Sequence, residues 1–538
     1  MTSQTKKNLK IAAGYALILI LGMTVGPKFA RENTNSANGS FLPFGLGDRS
    51  PKIDKVIQII NDNYVDSIKL DTVKELAIQE ILKHLDPHSM YLPPVEAKLS
   101  FENLEGNFYG IGIEYFILHD TLLVTAINPK GPAETSGLLP GDKILKINNK
   151  SITGVKLTGK QVVEQVRGKS GTAIELLVKR NDNQLKTIRV VRGKITISTI
   201  DAAYLLNNLT GYIKITRFGA ETNNDFQAVL TKLQLKGMKN LVLDLRDNGG
   251  GYLSAATALA DQFLSDKKLI VFTEGAHEPR TDYFATTEGG FEEGKLVVLI
   301  DENSASASEI LAGAIQDLDR GTIIGRRSFG KGLVQEQFNF GDGSALNLTI
   351  ARYFTPSGRS IQKSYKKGAQ AYYSEVNERY KNGELASNGK NLSDTLFDKQ
   401  KTFTTPSGKV VYGGGGIMPD IYIPVDTTRY TSYYRSLASH NILNDYVYNY
   451  LAKHSPKFES VDDLISNFQL SDREYNQVFK LAESEGIKTE TQKLDQSKKE
   501  IKENLRALLG RYYFGQEGYY KVVNSDDRVI ARSLEVLK

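Results

Sequence analysis

The stretch that decides the fold is Leu296-Val-Val-Leu-Ile-Asp-Glu-Asn-Ser-Ala-Ser-Ala-Ser-Glu309, followed by Ile310-Leu-Ala-Gly-Ala-Ile315. The first five residues indicate a buried strand, the small residues a tight turn, and the last segment a helix. A hydroxyl in such a turn lies near the positive end of the helix, among backbone N–H groups. This geometry suits a nucleophile whose attack creates an oxyanion, but serine also caps helices. The turn alone decides neither between these roles nor among its three serines.

The neighbouring segments repeat the alternation of strand and helix. Gly211-Tyr-Ile-Lys-Ile215 and Asn240-Leu-Val-Leu-Asp-Leu245 indicate strands, and the pattern from Asn223 to Leu235 indicates a helix between them. The second strand leads into Arg246-Asp-Asn-Gly-Gly-Gly251. We therefore expect an α/β core built from layered sheets and helices.

The composition limits the class of protein. At 538 residues the chain is too long for a single core. Its net charge of +6 is modest, and no basic patch with interleaved aromatic residues stands out, so we expect no nucleic-acid partner. The absence of cysteine excludes disulfides, thiol catalysis and cysteine metal sites.

The histidines do not indicate a metal site either. None of them lies in an HExxH motif, so we expect no metal site. We also expect no organic cofactor. The six histidines are His84, His88, His119, His277, His440 and His454. His88 is interpreted as a residue that packs in a loop.

The N-terminus carries a localisation signal. Lys6, Lys7 and Lys10 precede an apolar run from Ile11 to Val25. A charged segment followed by an apolar one is typical of a signal sequence. We expect an uncleaved signal anchor, with a cleaved signal peptide as the alternative. Either would export the rest of the chain, and the anchor would hold it at the inner membrane, facing the periplasm.

Changes of composition and periodicity divide the chain into segments. An interval rich in Lys, Tyr, Ser and Asn is interpreted as a surface insertion in the core, and the charged helical pattern at the end as an appendage. The expected segments are 1–30 signal anchor or signal peptide, 31–50 linker, 51–105 N-terminal helical segment, 106–192 β-rich domain, 193–426 α/β core with the insertion at 360–409, and 427–538 C-terminal helical region.

Residues 106–192 resemble a PDZ domain. The matching features are Tyr109-Gly-Ile-Gly-Ile113, Gly131-Pro-Ala-Glu-Thr-Ser-Gly137 and Leu139-Pro-Gly-Asp-Lys-Ile144, with a helical pattern from Gly159. The resemblance implies that backbone N–H groups in the loop at Ile111, Gly112 and Ile113 hold the C-terminal carboxylate of a peptide. The peptide would add to the sheet as a strand.

A serine nucleophile needs a proton acceptor, and no histidine lies in a comparable loop nearby. Lys331, in Ser328-Phe-Gly-Lys-Gly332, is the better candidate. Burial near Phe329 and Leu333 would lower its pKa, because desolvation disfavours the charged amine. Taken alone, Lys331 would instead be interpreted as a solvated loop lysine.

Gln335 adds to this pattern. If residues 331–337 are extended, Lys331, Leu333 and Gln335 share one face, and Gln335 can orient the lysine amine. It can equally be an ordinary half-exposed strand residue, because the sequence gives no burial.

The oxyanion would be stabilised by backbone N–H groups. One belongs to Ala307, directly after Ser306, and another lies in Gly249-Gly-Gly251 at the end of a strand. Asp317 lies roughly 16 Å beyond Ser306 on a continuous helix, too far to contact its hydroxyl. We expect Asp317 to be structural, for example by pairing with Arg320 or capping a nearby loop.

The ordered set of motifs resembles the C-terminal processing (tail-specific) serine peptidases over roughly residues 50–425. The set joins the PDZ-like segment to Leu243-Asp-Leu-Arg-Asp-Asn-Gly-Gly-Gly251, Ser304-Ala-Ser-Ala-Ser-Glu-Ile310, Phe329-Gly-Lys-Gly332 with Val334-Gln335, and Gly414-Gly-Gly-Ile-Met-Pro-Asp420. The resemblance implies a multidomain α/β fold. It would combine a serine-peptidase core of ClpP/crotonase-like layered sheets and helices with an inserted PDZ domain and helical N- and C-terminal segments.

The resemblance also implies roles for individual residues. Ser306 matches the nucleophile, Lys331 the general base and Gln335 its supporting residue. Gly251 and Ala307 match the oxyanion donors, and Asp317 matches an acidic position that the family often carries.

These expectations combine into a serine endopeptidase with a Ser/Lys dyad. Its PDZ domain would capture exported proteins or peptides by their apolar C-terminal tails. The membrane would be a second partner, and assembly into a homo-oligomer stays open. The alternative from another class is a non-catalytic PDZ scaffold with a retired peptidase domain, against which intact Ser306, Lys331 and Gln335 argue.

Overall fold

A computed structural model of the chain describes residues 52–118, 120–180, 184–287, 289–386, 402–426, 431–454, 456–488 and 491–538. The chain divides into two compact units, Met1–Lys74 and Glu75–Lys538. The predicted signal anchor at 1–30 and linker at 31–50 lie outside the described residues. Across the described ranges, no helix combines the length and the apolar character needed to cross a membrane.

The strands of the described residues lie between Met90 and Tyr422. They are β1 (Met90–Leu92), β2 (Asn107–Gly110), β3 (Ile113–Leu118), β4 (Thr121–Ile127), β5 (Lys143–Ile147), β6 (Lys150–Ser151), β7 (Ala173–Lys179), β8 (Leu185–Val191), β9 (Gly193–Thr196), β10 (Ile200–Leu205), β11 (Thr210–Ile215), β12 (Asn240–Asp244), β13 (Leu269–Glu274), β14 (Thr281–Phe284), β15 (Leu296–Ile300), β16 (Thr322–Gly325), β17 (Leu333–Asn339), β18 (Ala345–Phe354), β19 (Thr402–Thr404), β20 (Val410–Tyr412) and β21 (Ile421–Tyr422).

The helices connect and cover these strands. They are α1 (Lys52–Asn63), α2 (Leu70–Lys83), α3 (Pro94–Glu105), α4 (Pro132–Thr135), α5 (Gly159–Val166), α6 (Thr222–Leu235), α7 (Leu253–Asp261), α8 (Ala307–Asp317), α9 (Ala369–Lys381), α10 (Ser432–Ser439), α11 (Ile442–His454), α12 (Val461–Asn467), α13 (Asp472–Ser484), α14 (Thr491–Asn524) and α15 (Arg528–Val536).

In the first unit, α1 has the helical spacing of apolar residues that the sequence indicated. None of its residues is buried. In the second unit, α3 begins at Pro94, where the missing N–H costs nothing, and ends before Gly106 in the left-handed conformation (φ 68°).

The β-rich domain is a separate sheet with its own core. The strand order is β3-β4-β5-β7-β8, and β6 pairs with β5. Leu122, Ile144 and Val178 are buried within it. The helix α5 begins with a capping box formed by Thr158 and Gln161. The antiparallel pair β2 and β9 flanks the domain in sequence and joins it to the rest of the unit.

The central sheet of the core has the order β10-β11-β12-β15-β16-β21. All neighbours after the antiparallel pair β10 and β11 are parallel. Parallel strands covered on both faces are expected to be apolar throughout, and all five residues of β15 are buried. One face packs against α6, α7 and α8, with Phe226, Leu259 and Leu311 in the same core cluster as β12 and β15.

A second sheet lies in the same unit, in the order β1-β18-β13-β14, and β17 pairs with β18. Its strands are antiparallel. β1 belongs to the segment before the β-rich domain, whereas β17 and β18 follow α8. The sheet therefore joins the N-terminal segment to the core, and β17 begins two residues after Lys331.

The segment expected to be a surface insertion, residues 360–409, is in part a buried element of the core. Ile361, Tyr372 and Arg379 are almost completely buried. The Arg379 guanidinium donates to Arg327 O at 3.0 Å and to Ser328 O at 2.9 Å. The expectation is wrong for these buried side chains, because the polar composition concealed charges and donors that are satisfied inside the protein. Residues 387–401 are outside the described ranges.

The C-terminal region is more than an appendage. Its helices have a core of their own, which includes Leu437, Val478 and Leu505. The last helix, α15, buries Val529 and Ile530 in a cluster with the central sheet. The sheet is therefore covered on both faces.

The C-terminal region also contacts the β-rich domain. The Tyr448 hydroxyl donates to Thr125 O at 3.3 Å, and Arg511 forms an ion pair with Glu114. The contacts connect α11 and α14 to β3 and β4.

Packing in the central sheet leads to a first prediction. Leu243→Ala is expected to lower the free energy of unfolding by about 2–5 kcal/mol, because it leaves a cavity at a side chain that is fully buried. Leu235→Ala removes the same atoms from a side chain that is 83% exposed. It is expected to change the free energy of unfolding by less than about 0.5 kcal/mol. Urea unfolding measures both. Equal losses in the two variants would contradict this account of the core.

Candidate active site

Ser306 lies in the turn between β15 and α8. Its backbone conformation (φ 56°, ψ −113°) is one that residues other than glycine rarely adopt. Ser306 N donates to Glu309 Oε2 at 2.9 Å, and Ala305 N donates to Asn248 O at 3.0 Å. Strained conformations persist only where the surroundings impose them. These bonds therefore fix Ser306 at the N-terminal end of α8.

The other two serines of the turn are buried donors. Ser304 Oγ donates to Leu245 O at 2.8 Å, and Ser308 Oγ donates to Asn248 O at 2.8 Å. Neither side chain is exposed, whereas Ser306 is half-buried. The structure thus gives Ser304 and Ser308 the packing roles and leaves Ser306 as the accessible hydroxyl.

The glycine run after β12 lies directly against this turn. A Cβ at Gly250 would be 2.8 Å from Ser306 Cβ and 2.9 Å from Ala307 N, so no side chain fits there. Gly251 (φ 148°) forms a bridge with Phe218. Ala307 N is the first N–H of α8 and has no acceptor within the helix. The structure brings the two loops together, and the oxyanion roles of Gly251 and Ala307 stay predictions.

The loop that carries Lys331 is tied to the same helix by Glu309. Glu309 Oε1 accepts from Gly330 N at 2.7 Å, and Oε2 accepts from Lys331 N at 2.8 Å. The Ser328 hydroxyl also donates to Oε1 and itself accepts from Ile417 N at 2.6 Å. The second bond places the Gly414–Asp420 motif behind the loop.

Tyr353 forms a further link between the two loops. Its hydroxyl lies 2.6 Å from Lys331 O and 3.1 Å from Ser306 O, and the ring is buried in β18. A single O–H therefore bridges the backbones of both candidate catalytic residues.

The Lys331 amine is in the environment that a lysine base requires. Burial lowers the pKa of Lys331, and the carboxylates of Glu309 and Asp86 oppose this shift. Within the described residues, no hydrogen bond or ion pair joins Lys331 Nζ to Ser306 Oγ. The two side chains thus come from loops held by one carboxylate, but their hydrogen bond is not formed.

Gln335 lies on β17 opposite Thr349, where the pairing with β18 slips by one residue. Its Nε2 donates to Thr349 Oγ1 at 3.2 Å. The described hydrogen bonds do not connect Gln335 to Lys331, so its supporting role stays a prediction.

Arg379 and Arg327 support the Lys331 loop from behind. Besides the bonds that Arg379 donates to the loop backbone, Arg327 forms an ion pair with Glu384 at 2.7 Å, and both charges are buried. Lys363 Nζ lies 3.6 Å from the centre of the Phe329 ring and 3.1 Å from a Glu375 oxygen. Arg379, Glu384, Lys363 and Glu375 come from the segment that the sequence analysis placed on the surface.

Sequence reasoning missed Glu309, Tyr353 and Asn248. A signal for Glu309 was present, because Ser306-Ala-Ser-Glu309 has the S-x-x-E spacing of a capping box. For Tyr353 and Asn248 there was none, since their importance comes from backbone groups that are distant in sequence.

Asp317 is structural, as expected, but its partner differs from the one proposed. It forms a buried ion pair with Arg359 at 2.7 Å and accepts from Ser357 N and Oγ. Arg320 instead donates to backbone carbonyls, including Phe263 O at 2.8 Å. The pairing with Arg320 is therefore wrong, while the capping of a loop is confirmed.

The predicted peptide-binding loop precedes β3, the edge strand of the β-rich domain. Ile111 is buried, Gly112 has φ 76°, and Ile113 begins β3. An edge strand has unpaired N–H and C=O groups along one side. The loop is thus placed where a strand can be added, and peptide binding stays a prediction.

The described part of the chain contains no evident set of metal ligands. No group of three or more His, Asp or Glu side chains there is arranged to hold a metal ion.

Comparison with known proteins agrees with this arrangement. The sequence profile of peptidase family S41 matches residues 209–369, and that of the PDZ domain matches residues 123–180. A profile for a family of unknown function matches residues 433–515, within the C-terminal helices.

Two staphylococcal proteins, each named a probable CtpA-like serine protease, are similar to this chain. The protein from Staphylococcus aureus (strain N315) is 36% identical over 314 residues, which cover 58% of this chain and 62% of that protein. The protein from Staphylococcus haemolyticus (strain JCSC1435) is 32% identical over 366 residues, which cover 67% of this chain and 72% of that protein. The chain therefore aligns with less than two thirds of the S. aureus relative.

Among solved structures, the photosystem II D1 C-terminal processing protease aligns with 59% of this chain and 91% of its own, at 27% identity and a TM-score of 0.34. The profiles and the staphylococcal relatives confirm the expected resemblance and fold class. The chain belongs to peptidase family S41 and carries a PDZ domain ahead of its peptidase core.

Proposed function

We propose that this protein is a serine endopeptidase with Ser306 as nucleophile and Lys331 as general base. The observation that carries the proposal is the pair of loops held by Glu309. One carboxylate binds the N–H groups of Ser306 and Lys331, so the two residues keep a fixed relation. A lysine with a lowered pKa beside an accessible serine in a helix-start turn supports acyl transfer.

Each of these residues has a separate role in the proposed hydrolysis of a peptide bond. The neutral Lys331 amine takes the proton of the Ser306 hydroxyl while Oγ attacks the peptide carbonyl. The N–H groups of Ala307 and Gly251 stabilise the oxyanion. The lysine ammonium then gives its proton to the leaving amine, the C–N bond breaks, and an acyl-enzyme remains. Water, deprotonated by Lys331, hydrolyses this ester and restores Ser306.

Substrate binding closes the dyad in this mechanism. Catalytic hydrogen bonds are often absent in the free enzyme and tighten when substrate is bound. The Lys331 side chain is flexible and its backbone is fixed by Glu309 and Tyr353, so rotation within the side chain is the movement required.

The PDZ domain supplies recognition. The position of β3 at the edge of its sheet and the loop at Ile111, Gly112 and Ile113 support capture of a substrate by its C-terminal carboxylate and tail. The basic, apolar N-terminal sequence supports export, so the substrates are proteins outside the cytoplasm. The competing function is a scaffold that binds tails without cleaving them, and the unformed Ser306–Lys331 hydrogen bond is the observation that favours it.

Replacing the nucleophile separates the two functions. Ser306→Ala is expected to abolish cleavage of an unstructured protein with an apolar tail, without changing thermal unfolding. Ser265→Ala, at an exposed loop position, is the matched control and is expected to cleave normally. Gel electrophoresis detects the products. Tail binding without cleavage in the unmodified protein would instead establish the scaffold.

The base predicts a pH dependence. Only the neutral amine accepts a proton, so kcat/KM is expected to rise with pH through the pKa of Lys331. Because burial lowers this pKa, the midpoint is expected below about 10.4, the value of an unperturbed lysine. Lys331→Ala is expected to remove activity at every pH. A midpoint at or above the unperturbed value, with the protein folded throughout, would rule out a buried lysine base.

Tail recognition is tested by changing the substrate. An otherwise identical substrate whose C-terminal carboxylate is replaced by an amide is expected to show a higher KM, because the loop N–H groups lose a charged acceptor. Binding to Ser306→Ala, measured by fluorescence anisotropy, should weaken in parallel. Equal affinity for both tails would exclude carboxylate capture.

A further inference from the structure

Asp86 lies in the loop between α2 and β1, in Asp86-Pro-His-Ser89, and the mechanism above does not use it. Its carboxylate accepts from His88 N at 2.7 Å, from Ser89 N at 3.0 Å and from Ser89 Oγ at 2.6 Å. These bonds are local, as in any turn formed by an aspartate. A fourth bond reaches across the sequence, because Thr349 Oγ1 on β18 donates to Asp86 Oδ1 at 3.1 Å.

The protons in this chain of bonds have one arrangement. A hydroxyl has a single proton, and an ionised carboxylate only accepts. Burial raises the pKa of Asp86, but the hydrogen bonds from Ser89, His88 and Thr349 together outweigh it and lower the pKa, so the carboxylate is ionised at neutral pH. The Thr349 proton therefore points to Asp86, and the Thr349 oxygen accepts from Gln335 Nε2 at 3.2 Å.

This arrangement determines which way the Gln335 amide faces. With Nε2 bound to Thr349, Oε1 lies on the other side of the amide and is left as an acceptor. The charged lysine ammonium has three N–H donors and no acceptor. The group that positions it must therefore be an acceptor. The slip between β17 and β18 sets Gln335 opposite Thr349, which makes this contact available.

Asp86 also acts on Lys331 through its charge. The two carboxylates whose fields raise the pKa of Lys331 are Glu309 on α8 and Asp86. Glu309 is committed to backbone N–H groups. His88 is neutral, since burial and then the Lys331 charge lower its pKa to about 4.

Other ionisable groups near His88 and Lys331 are paired or neutral. The amine of Lys363 is paired with Glu375 at 3.1 Å. Burial raises the pKa values of Tyr353 and Tyr372, so both hydroxyls stay neutral. Of the two carboxylates that raise the pKa of Lys331, Asp86 is the one that precedes the PDZ domain in the sequence.

We propose that Asp86 is a positioning residue of the peptidase site, which orients the Gln335 amide for Lys331 through the Thr349 hydroxyl and adds a negative charge beside the lysine. The proposal rests on the proposed role of Lys331 as base. It makes the loop between α2 and β1 a part of the active site, although this loop precedes the PDZ domain in the sequence.

Two substitutions separate the charge from the hydrogen bond. Thr349→Val keeps the shape and the Asp86 charge but removes the hydroxyl, so kcat is expected to fall about 10- to 100-fold with the same pH midpoint. Thr349→Ser is expected to restore most of the activity. Asp86→Asn removes the charge and leaves only one acceptor oxygen, so kcat is expected to fall and the rising limb of the kcat/KM profile to move to lower pH.

The matched control is Asp342→Asn. Asp342 is an exposed aspartate in the β17–β18 hairpin that accepts from Ser344 N at 2.9 Å and from Ser344 Oγ at 2.6 Å, in the same type of turn. It is expected to leave kcat and the pH midpoint unchanged. Thermal unfolding and circular dichroism of each variant show whether the protein is folded in the assay.

The outcomes distinguish the positioning role from the function on which it rests. An unchanged midpoint in Asp86→Asn, full activity in Thr349→Val, or losses that merely follow loss of folded protein would overturn the role of Asp86. Full activity of Ser306→Ala or Lys331→Ala would overturn the dyad itself, whatever the Asp86 variants show.

Discussion

The arrangement of the site depends on the buried carboxylate of Glu309. The side chain has no exposed surface and accepts from the N–H groups of Ser306, Gly330 and Lys331 and from the Ser328 hydroxyl. Burial raises the pKa of Glu309, and these hydrogen bonds oppose the rise. A buried carboxylate is costly unless such donors surround it. Satisfying it requires both loops, so neither can be displaced without leaving an unpaired buried acceptor.

The rest of the fold presents this arrangement at the edge of a buried parallel sheet. The turns that follow β12 and β15 lie side by side because their strands are neighbours, and Gly250 permits the close approach. Sites in parallel α/β sheets commonly form at this carboxyl edge. The second sheet then places β17 and the Lys331 loop beside the same edge, with Arg379 and Tyr353 holding the loop backbone.

The sequence predicted the parts of the molecule that are encoded locally. Leu296–Ile300 and the helix after it were recognisable from apolar runs, and the small residues between them indicated a tight turn. The turn by itself did not distinguish Ser306 from the two neighbouring serines. Lys331 was a candidate base because no histidine lay in a comparable loop, and the family resemblance supported that role. A single lysine between glycines carries no sign of its own burial. The internal role of residues 360–386 was hidden, since buried Arg and Glu pairs have the composition of a solvated surface. The contacts of Asn248, Tyr353 and Asp86 join segments that no local pattern relates.

The strand β1 and the β18 contact of Asp86 have a consequence for biosynthesis. The site and its supporting contacts draw on residues from position 86 to beyond position 379. The PDZ domain lies between Asp86 and the other residues in the sequence. Pairings this distant along the chain form late, since closure of long loops precedes any gain from the contact. A nascent or partly unfolded chain therefore holds Ser306 and Lys331 without the framework that joins them. The topology therefore delays assembly of the site until the segments on both sides of the PDZ domain have been made.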